Sequence, residues 1–320
     1  MSTTPPVDVV LNVFAKPYQT ALSLLSLFKF SGAHIDRVYL QFEPYGSAFD
    51  HASPYIMAEY FQDRAVVSQP EIWLQLDAAD PSRLNDPAYR HSIRYQYAFE
   101  HSDKQFLLTL HNDVLVLRDM VGAMLEQIKD AFAIGSVGQC WNCPAAHADI
   151  VRHAGLGDTP CSPDRHMDFR PDFAGLQRLY AAARQRGSFV RPYWEGWEAK
   201  YRQQAWPLPE CRVNEWACLV NLDKTRDLVA PRGPVLPFGA YEPGGSICLD
   251  IDVAWFRDLH RKGLHARNLN LSPYLKHWVG NGKMTRAKYT RAEVNARHIL
   301  EKSFQPFVRW CKDQKNGMFP

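Results

Sequence analysis
Three polar side chains stand where a greasy run stops. In "FLLTLHNDVLVLRD", Phe106 to Asp119, four apolar residues and a threonine lead into His111-Asn112-Asp113, after which the apolar pattern resumes. An imidazole, an amide and a carboxylate at the end of a buried strand are a set of nitrogen and oxygen donors. In an open parallel sheet, ligands bind beyond the carboxyl ends of the strands, so these donors are placed to serve one. A carboxylate there suits Mg²⁺ or Mn²⁺, hard cations that share their coordination with diphosphate oxygens. The competing local role for Asp113 is to cap the turn that follows.

Three further constellations carry chemistry. "HWVGNGK", His277 to Lys283, has the spacing H-x-x-G-x-x-K: a lysine is a point charge for phosphate, and glycine lets backbone approach it. "CRVNEWACL" places Glu215 at an expected helix start over Glu215–Leu222, as a candidate general base or a first-turn partner of the helix dipole. "GQCWNCPAAH" contains Cys140-x-x-Cys143; Cys161 follows, with His166 five positions on, and then Cys211. That is the composition of a thiolate-rich structural zinc site with His166 or Cys211 as fourth ligand, the other reading being buried thiols packed as small hydrophobes.

The elements that must hold these groups are legible as apolar periodicity. Val7–Phe14 and Ile35–Phe42 read as buried strands around a helix that opens at Pro17 and is capped near Gly32, a strand–helix–strand unit that implies a parallel pair. Arg64–Val67, Gln105–Leu110 and Ile134–Gly138 read as further strands, with helices over Pro87–Glu100 and Arg118–Ala131. Beyond Cys140 the chain turns to prolines, tryptophans and loops, with helices near Phe173–Arg186 and Val253–Lys262. The expected fold is α/β, one compact body of a sheet-based half, 1–139, and a loop-rich half, 140–320, that ends in a basic helix.

At this point the chain resembles the metal-dependent, nucleotide-sugar glycosyltransferases of the GT-A fold. "LHNDV" is similar to their strand-ending Asp-x-Asp motif, with His111 at the first acidic position and Asp113 at the second. The opening "VDVVLNVFAKPYQTALSLLSLF" looks like their first strand and helix, and H-x-x-G-x-x-K is similar to a motif of glycogenin-like enzymes, although Met284-Thr285 stand where Pro-Trp usually follows. The resemblance implies that Asp113, His277 and His111 hold Mn²⁺ or Mg²⁺ and that Lys283 meets the diphosphate. It further implies that Asn12, Lys16, Glu43, Arg94 and Asn112 serve the donor, and that Glu215 acts as base. The motifs pull opposite ways on stereochemistry, with inversion favoured. Trp194, Trp197, Trp206 and Trp216 would offer an acceptor platform for a glycan or lipid-linked glycan.

Composition narrows the alternatives. A net charge of +3 over 320 residues gives no footprint for nucleic acid. An odd count of seven cysteines favours reduced thiols or metal ligands in the cytoplasm over a disulfide framework. "MSTTPPVDVV" has neither the basic region nor the apolar core of an export signal. Between Arg286 and Lys315 eight Lys/Arg face three acids, either a solvated helix face or a contact with anionic lipid at the inner face of the membrane. A sugar-nucleotide pyrophosphorylase would need a glycine-rich loop after the first strand, and "NVFAKPYQT" has none. The alternative from another class is a non-catalytic carbohydrate-binding or zinc-stabilised interaction module.

Overall fold
The computed structural model describes residues 6–43, 55–72, 74, 77–138, 143–187, 211–241, 251–277, 286–315 and 317–319. Its centre is a seven-stranded sheet in the order β3-β2-β1-β4-β7-β6-β8. The strands are β1 Val7–Val13, β2 Ile35–Phe42, β3 Ala65–Ser68, β4 Phe106–Leu110, β6 Ala133–Val137, β7 Val213–Asn221 and β8 Ala266–Asn268. All neighbours pair parallel except β7, which runs antiparallel to both β4 and β6. The expected α/β architecture is therefore observed, with one reversed strand inside it.

Every position of β4 is buried, as expected of a strand covered on both faces. Alternation sorts its side chains: Phe106, Leu108 and Leu110 join the larger cluster with Val7, Val9 and Leu11, while Leu107 joins the opposite cluster with Val10, Phe132 and Trp255. The first face is closed by α1 (Pro17–Ser31), α5 (Met120–Ile128) and the C-terminal pair α10 (Arg286–Ser303) and α11 (Gln305–Asp313). The second is closed by α4 (Gln96–His101) and α9 (Val253–Arg261), whose Trp255 is fully buried. A satellite core gathers α6 (Ala148–His153) and α7 (Phe173–Gln185).

Two helix expectations are corrected. Glu215–Asn221 is not a helix but most of β7, with Leu222 just past its end: Cys218 and Val220 face one cluster, Ala217 and Leu219 the other, while Val213 joins the first across a register shift in the β6–β7 pairing. This period-two alternation fits the slot between β4 and β6, whose exposed edges it pairs. Pro87–Glu100 is not one helix but α3 (Pro87–His91) and α4, broken at Tyr95, which has a φ of 66°. The Tyr95 N–H donates to Gln41 Oε1 at 3.1 Å, and its ring packs on Phe238 at 5.5 Å. Tertiary partners replace the helical bond there.

The basic C-terminal stretch is not simply solvated. It splits at Phe304 into α10 and α11, and Ala296, Leu300, Phe307, Val308 and Cys311 enter the main core. From α10, Glu293 reaches the start of α1: its carboxylate accepts the backbone N–H of Tyr18 (3.0 Å) and of Gln19 (3.1 Å), and Gln19 Nε2 (2.9 Å). Helix α1 has no cap from its own N-cap side chain, Lys16, so a distant helix satisfies N–H groups that every helix start leaves open. Glu293→Ala is expected to lower folding stability by about 1–3 kcal/mol, since three donors lose their acceptor. Glu293→Gln, which keeps an acceptor oxygen, should cost less. Equal chemical-denaturation midpoints for wild type and Glu293→Ala would refute this role.

Candidate metal and donor site
The sheet's direction decides where the functional groups meet. Strands β1, β2 and β4 all end at one rim, and because β7 is reversed, its first residues start at that rim. Asn12, Glu43, Asp113 and Glu215 come to one edge although they are up to two hundred residues apart in the chain.

Asp113 is the hub. It is 4% exposed, its Oδ2 lies 2.6 Å from Lys16 Nζ, and its Oδ1 lies 3.0 Å from His277 Nε2 and 3.9 Å from His111 Nδ1. Burial pushes its carboxyl pKa up, but the hydrogen bond from His277 and the charge of Lys16 outweigh this and hold it well below the usual carboxylate range. Asp113 is thus an anion in a shielded place. His277 is brought there by a short antiparallel pair, β5 (Val114–Val116) with β9 (Leu275–His277), in which Val114 opposes His277. The imidazole stacks on Trp216 at 5.4 Å with planes 13° apart. His111 continues β4, its N–H bonded to the Trp216 carbonyl at 3.0 Å. Though 31% of its side chain is exposed, crowding desolvates the ring; this outweighs the attraction of Glu215 and Asp113 and pushes its pKa down to about 4. Its ring nitrogen is therefore free of a second proton at neutral pH.

His111, Asp113 and His277 offer ligand atoms that all lie within 4.8 Å of one another, the one such trio among the described residues. Two imidazoles and an anionic carboxylate fit a divalent cation, and the imidazoles favour a transition metal such as Mn²⁺ over Mg²⁺. Lys16 already neutralises the second carboxylate oxygen.

Asn112 points the other way. It is buried, and its amide donates to the Phe14 and Ala15 carbonyls at 3.2 and 3.4 Å and to Thr20 Oγ1 at 3.2 Å. It thereby holds the β1–α1 loop, where Ala15 and Lys16 both adopt left-handed backbone (φ 50° and 56°). That conformation costs about 1–2 kcal/mol per non-glycine residue, and the Tyr289 hydroxyl, which accepts the Lys16 N–H at 3.0 Å, helps to hold it. The loop's distortion aims Lys16 at Asp113.

Beside this loop a pocket opens, lined by Asn12, Gln41, Glu43, Ser92, Arg94 and Tyr241 among others. Glu43 Oε1 accepts from Asn12 Nδ2 at 3.2 Å and pairs with Arg94 Nε at 3.1 Å, so three of the expected donor-binding residues form one connected wall. Asn12 Oδ1 is buried and has no hydrogen-bond partner among the described residues. Arg90, one turn before Arg94, faces elsewhere: its guanidinium forks onto Glu100 at 2.6 and 3.0 Å.

Glu215 joins the site from β7, with Oε1 3.8 Å from His111 Nε2 and Oε2 2.5 Å from Arg212 Nη1. Arg212, 2% exposed, also donates to Asn214 Oδ1 at 3.1 Å. Neither this arginine nor the Trp216–His277 stack was singled out from sequence; the local cue was a charged and an aromatic residue in "CRVNEW", which only the strand pairing turns towards the rim. Lys283, Cys140, Trp194, Trp197 and Trp206 lie outside the described residues. Of the thiol set, Cys143, Cys161 and Cys211 come together in the satellite core, whereas buried His166 donates from Nδ1 to the Pro163 carbonyl at 2.7 Å.

No protein-family profile matches the chain, and no curated protein matches it in sequence. Among solved structures, the mannosyltransferase PcManGT from Pyrobaculum calidifontis, in complex with GDP-Man and Mn²⁺, is similar over 99% of this chain and 86% of that one, at a TM-score of 0.44 and 10% identity. Glucosyl-3-phosphoglycerate synthase from Mycobacterium tuberculosis, in complex with Mn²⁺, UDP and phosphoglyceric acid, is similar over 92% of this chain and 77% of that one, at a TM-score of 0.40 and 12% identity. At that distance the function must be read from the site. Among the described residues no helix is long and apolar enough to cross a membrane.

Proposed function
We propose that the protein is a metal-dependent glycosyltransferase that moves a sugar from a nucleotide diphosphate to a glycan or glycoconjugate acceptor, with inversion favoured. The observation that carries this is the His111–Asp113–His277 trio at the end of β4, next to the pocket walled by Asn12, Glu43 and Arg94. A cation site beside a polar pocket at a strand-end rim is what a nucleotide diphosphate requires: one place for its phosphates and one for its nucleoside.

In this reading Asn12 Oδ1 gives a buried acceptor to the base or ribose, and the Glu43–Arg94 pair fixes that wall. Asp113, His277 and His111 would hold Mn²⁺ or Mg²⁺, whose charge offsets that which builds on the leaving diphosphate. Lys16 and, from the H-x-x-G-x-x-K motif, Lys283 supply cationic contacts to the same phosphates. Transfer breaks the bond between the anomeric carbon and the diphosphate oxygen and forms one to the acceptor oxygen. The acceptor hydroxyl's proton goes to Glu215, which Arg212 orients at the rim. Residues 1–139 would supply most of the donor half and 140–320 the acceptor half, with Glu215 and His277 reaching across. Assembly of a surface polysaccharide or glycoconjugate, on the cytoplasmic side, is the setting that fits such an acceptor.

Thermal unfolding against a panel of nucleoside diphosphates, each with and without Mn²⁺, tests this directly. One nucleotide is expected to raise the unfolding temperature only with metal. At about a hundred times its dissociation constant it should add ~2.7 kcal/mol of stability. No response to any nucleotide from the folded protein would favour a carbohydrate-binding module without catalysis.

A further inference from the structure
The excursion between β6 and β7 leaves and re-enters the sheet through a narrow neck, where Gly138 N–H donates to the Arg212 carbonyl at 3.1 Å. Just above that neck stand Cys143 and Cys211, and Cys161 returns to them from the far side of α6, its N–H bonded to the Ala145 carbonyl at 2.8 Å. All three thiols are buried, at 3, 9 and 4% exposure for Cys143, Cys161 and Cys211, and the neighbouring Cys143 and Cys161 thiols, together with burial, push the Cys211 thiol well up. Three chain segments, distant in sequence, thus bring their cysteines into one satellite core, where they are three of a dozen buried residues.

Contacting thiols in an apolar cluster have two chemical uses. A disulfide would employ two and leave the third idle. A soft, thiolate-binding cation would employ all three, and would neutralise the mutual repulsion that three adjoining thiolates create. We propose that Cys143, Cys161 and Cys211 supply three of the four ligands of a structural Zn²⁺ that closes the neck of the 143–211 excursion. The three sulfurs do not all lie within the 4.8 Å of one another that the His111 trio satisfies, so binding draws them together. Such an ion adds order where the apolar core is small, because binding free energy becomes folding free energy. This site is separate from the His111–Asp113–His277 trio, and it stands whether or not that trio serves sugar transfer.

The test uses the full chain, purified under reducing conditions without added metal. About one zinc per chain is expected by elemental analysis, retained in His277→Ala and lost in Cys161→Ser and Cys211→Ser. Should those variants fail to fold, the wild-type protein decides. Zinc should be released when a mercurial reagent titrates the thiols, and Co²⁺ exchanged in its place should show sulfur-to-metal charge-transfer bands and intense tetrahedral visible bands. Absence of zinc together with cobalt spectra lacking thiolate bands would overturn the proposal. A mass lighter by two hydrogens, with two of these cysteines linked in a peptide map, would overturn it in favour of a disulfide.

Discussion

Asp113→Ala is expected to abolish Mn²⁺ binding at the rim and to lower metal-dependent transfer by roughly 10²–10³-fold, the loss typical when a transition-state charge stabiliser is removed. It should also destabilise the metal-free protein. Lys16 and His277 both turn on this carboxylate, and taking one partner from a buried ion pair leaves the other charge uncompensated. About 3 kcal/mol is expected, the low end for such losses, because Lys16 and His277 keep 12 and 27% of their side chains in contact with solvent. Asp113→Asn separates the two effects. It preserves shape and one acceptor oxygen, so it should recover much of the stability but little of the metal affinity. Calorimetric titration with Mn²⁺ and chemical denaturation of both variants give the comparison. Wild-type metal affinity in Asp113→Ala would remove Asp113 from the ligand set. The His111 ligand adds a pH limit: with its pKa depressed to about 4, its contribution to metal binding is complete at neutral pH and is lost as pH falls through about 4.

Lys16→Met should act with opposite signs on metal and on nucleotide. In the metal-free protein the Lys16 ammonium sits 2.6 Å from Asp113 Oδ2, where it both occupies a lone pair and repels an arriving dication. Methionine keeps the apolar stem and removes the charge. Mn²⁺ affinity is expected to rise about tenfold, equivalent to ~1.4 kcal/mol, while affinity for the nucleoside diphosphate in the presence of Mn²⁺ falls by a similar factor. The physical reason is that the ammonium stands in for the cation until metal arrives and then has the phosphates as its natural partner. If the metal affinity of Lys16→Met were unchanged or weaker, Lys16 would be a fixed part of the site and not a competitor for it.

These two outcomes interlock through the β1–α1 loop. The loop's two left-handed residues are held by Asn112 from one side and by Tyr289 from the other, and the next turn is held by Glu293. Tyr289 and Glu293 both belong to α10, so the C-terminal helix buttresses the segment that carries Lys16. A helix read from sequence only as a basic face thus has a second, buried side that supports the site.

Local periodicity and local chemistry can be read from the chain alone. The apolar runs of β1, β2 and β4, the proline that opens α1 and the abrupt His111-Asn112-Asp113 are local signals, and they marked both the α/β fold and the carboxylate at its hub. The cysteine spacing likewise marked the thiols that meet in the satellite core. The remainder depends on pairing between distant segments, which no local pattern encodes. The stretch around Glu215 carries no turn or cap that distinguishes strand from helix over eight residues; the open edges of β4 and β6 do, and they reverse β7 so that Glu215 arrives beside His111. Tyr95 breaks a continuous helical pattern because Gln41 and Phe238, far away in the chain, offer its backbone and ring better partners than the helix does. The division of labour within His111-Asn112-Asp113 follows from the same cause. Adjacent residues at a strand end face different neighbours, so His111 and Asp113 turn to His277 while Asn112 turns to the loop, and nothing in three consecutive polar letters says which is which.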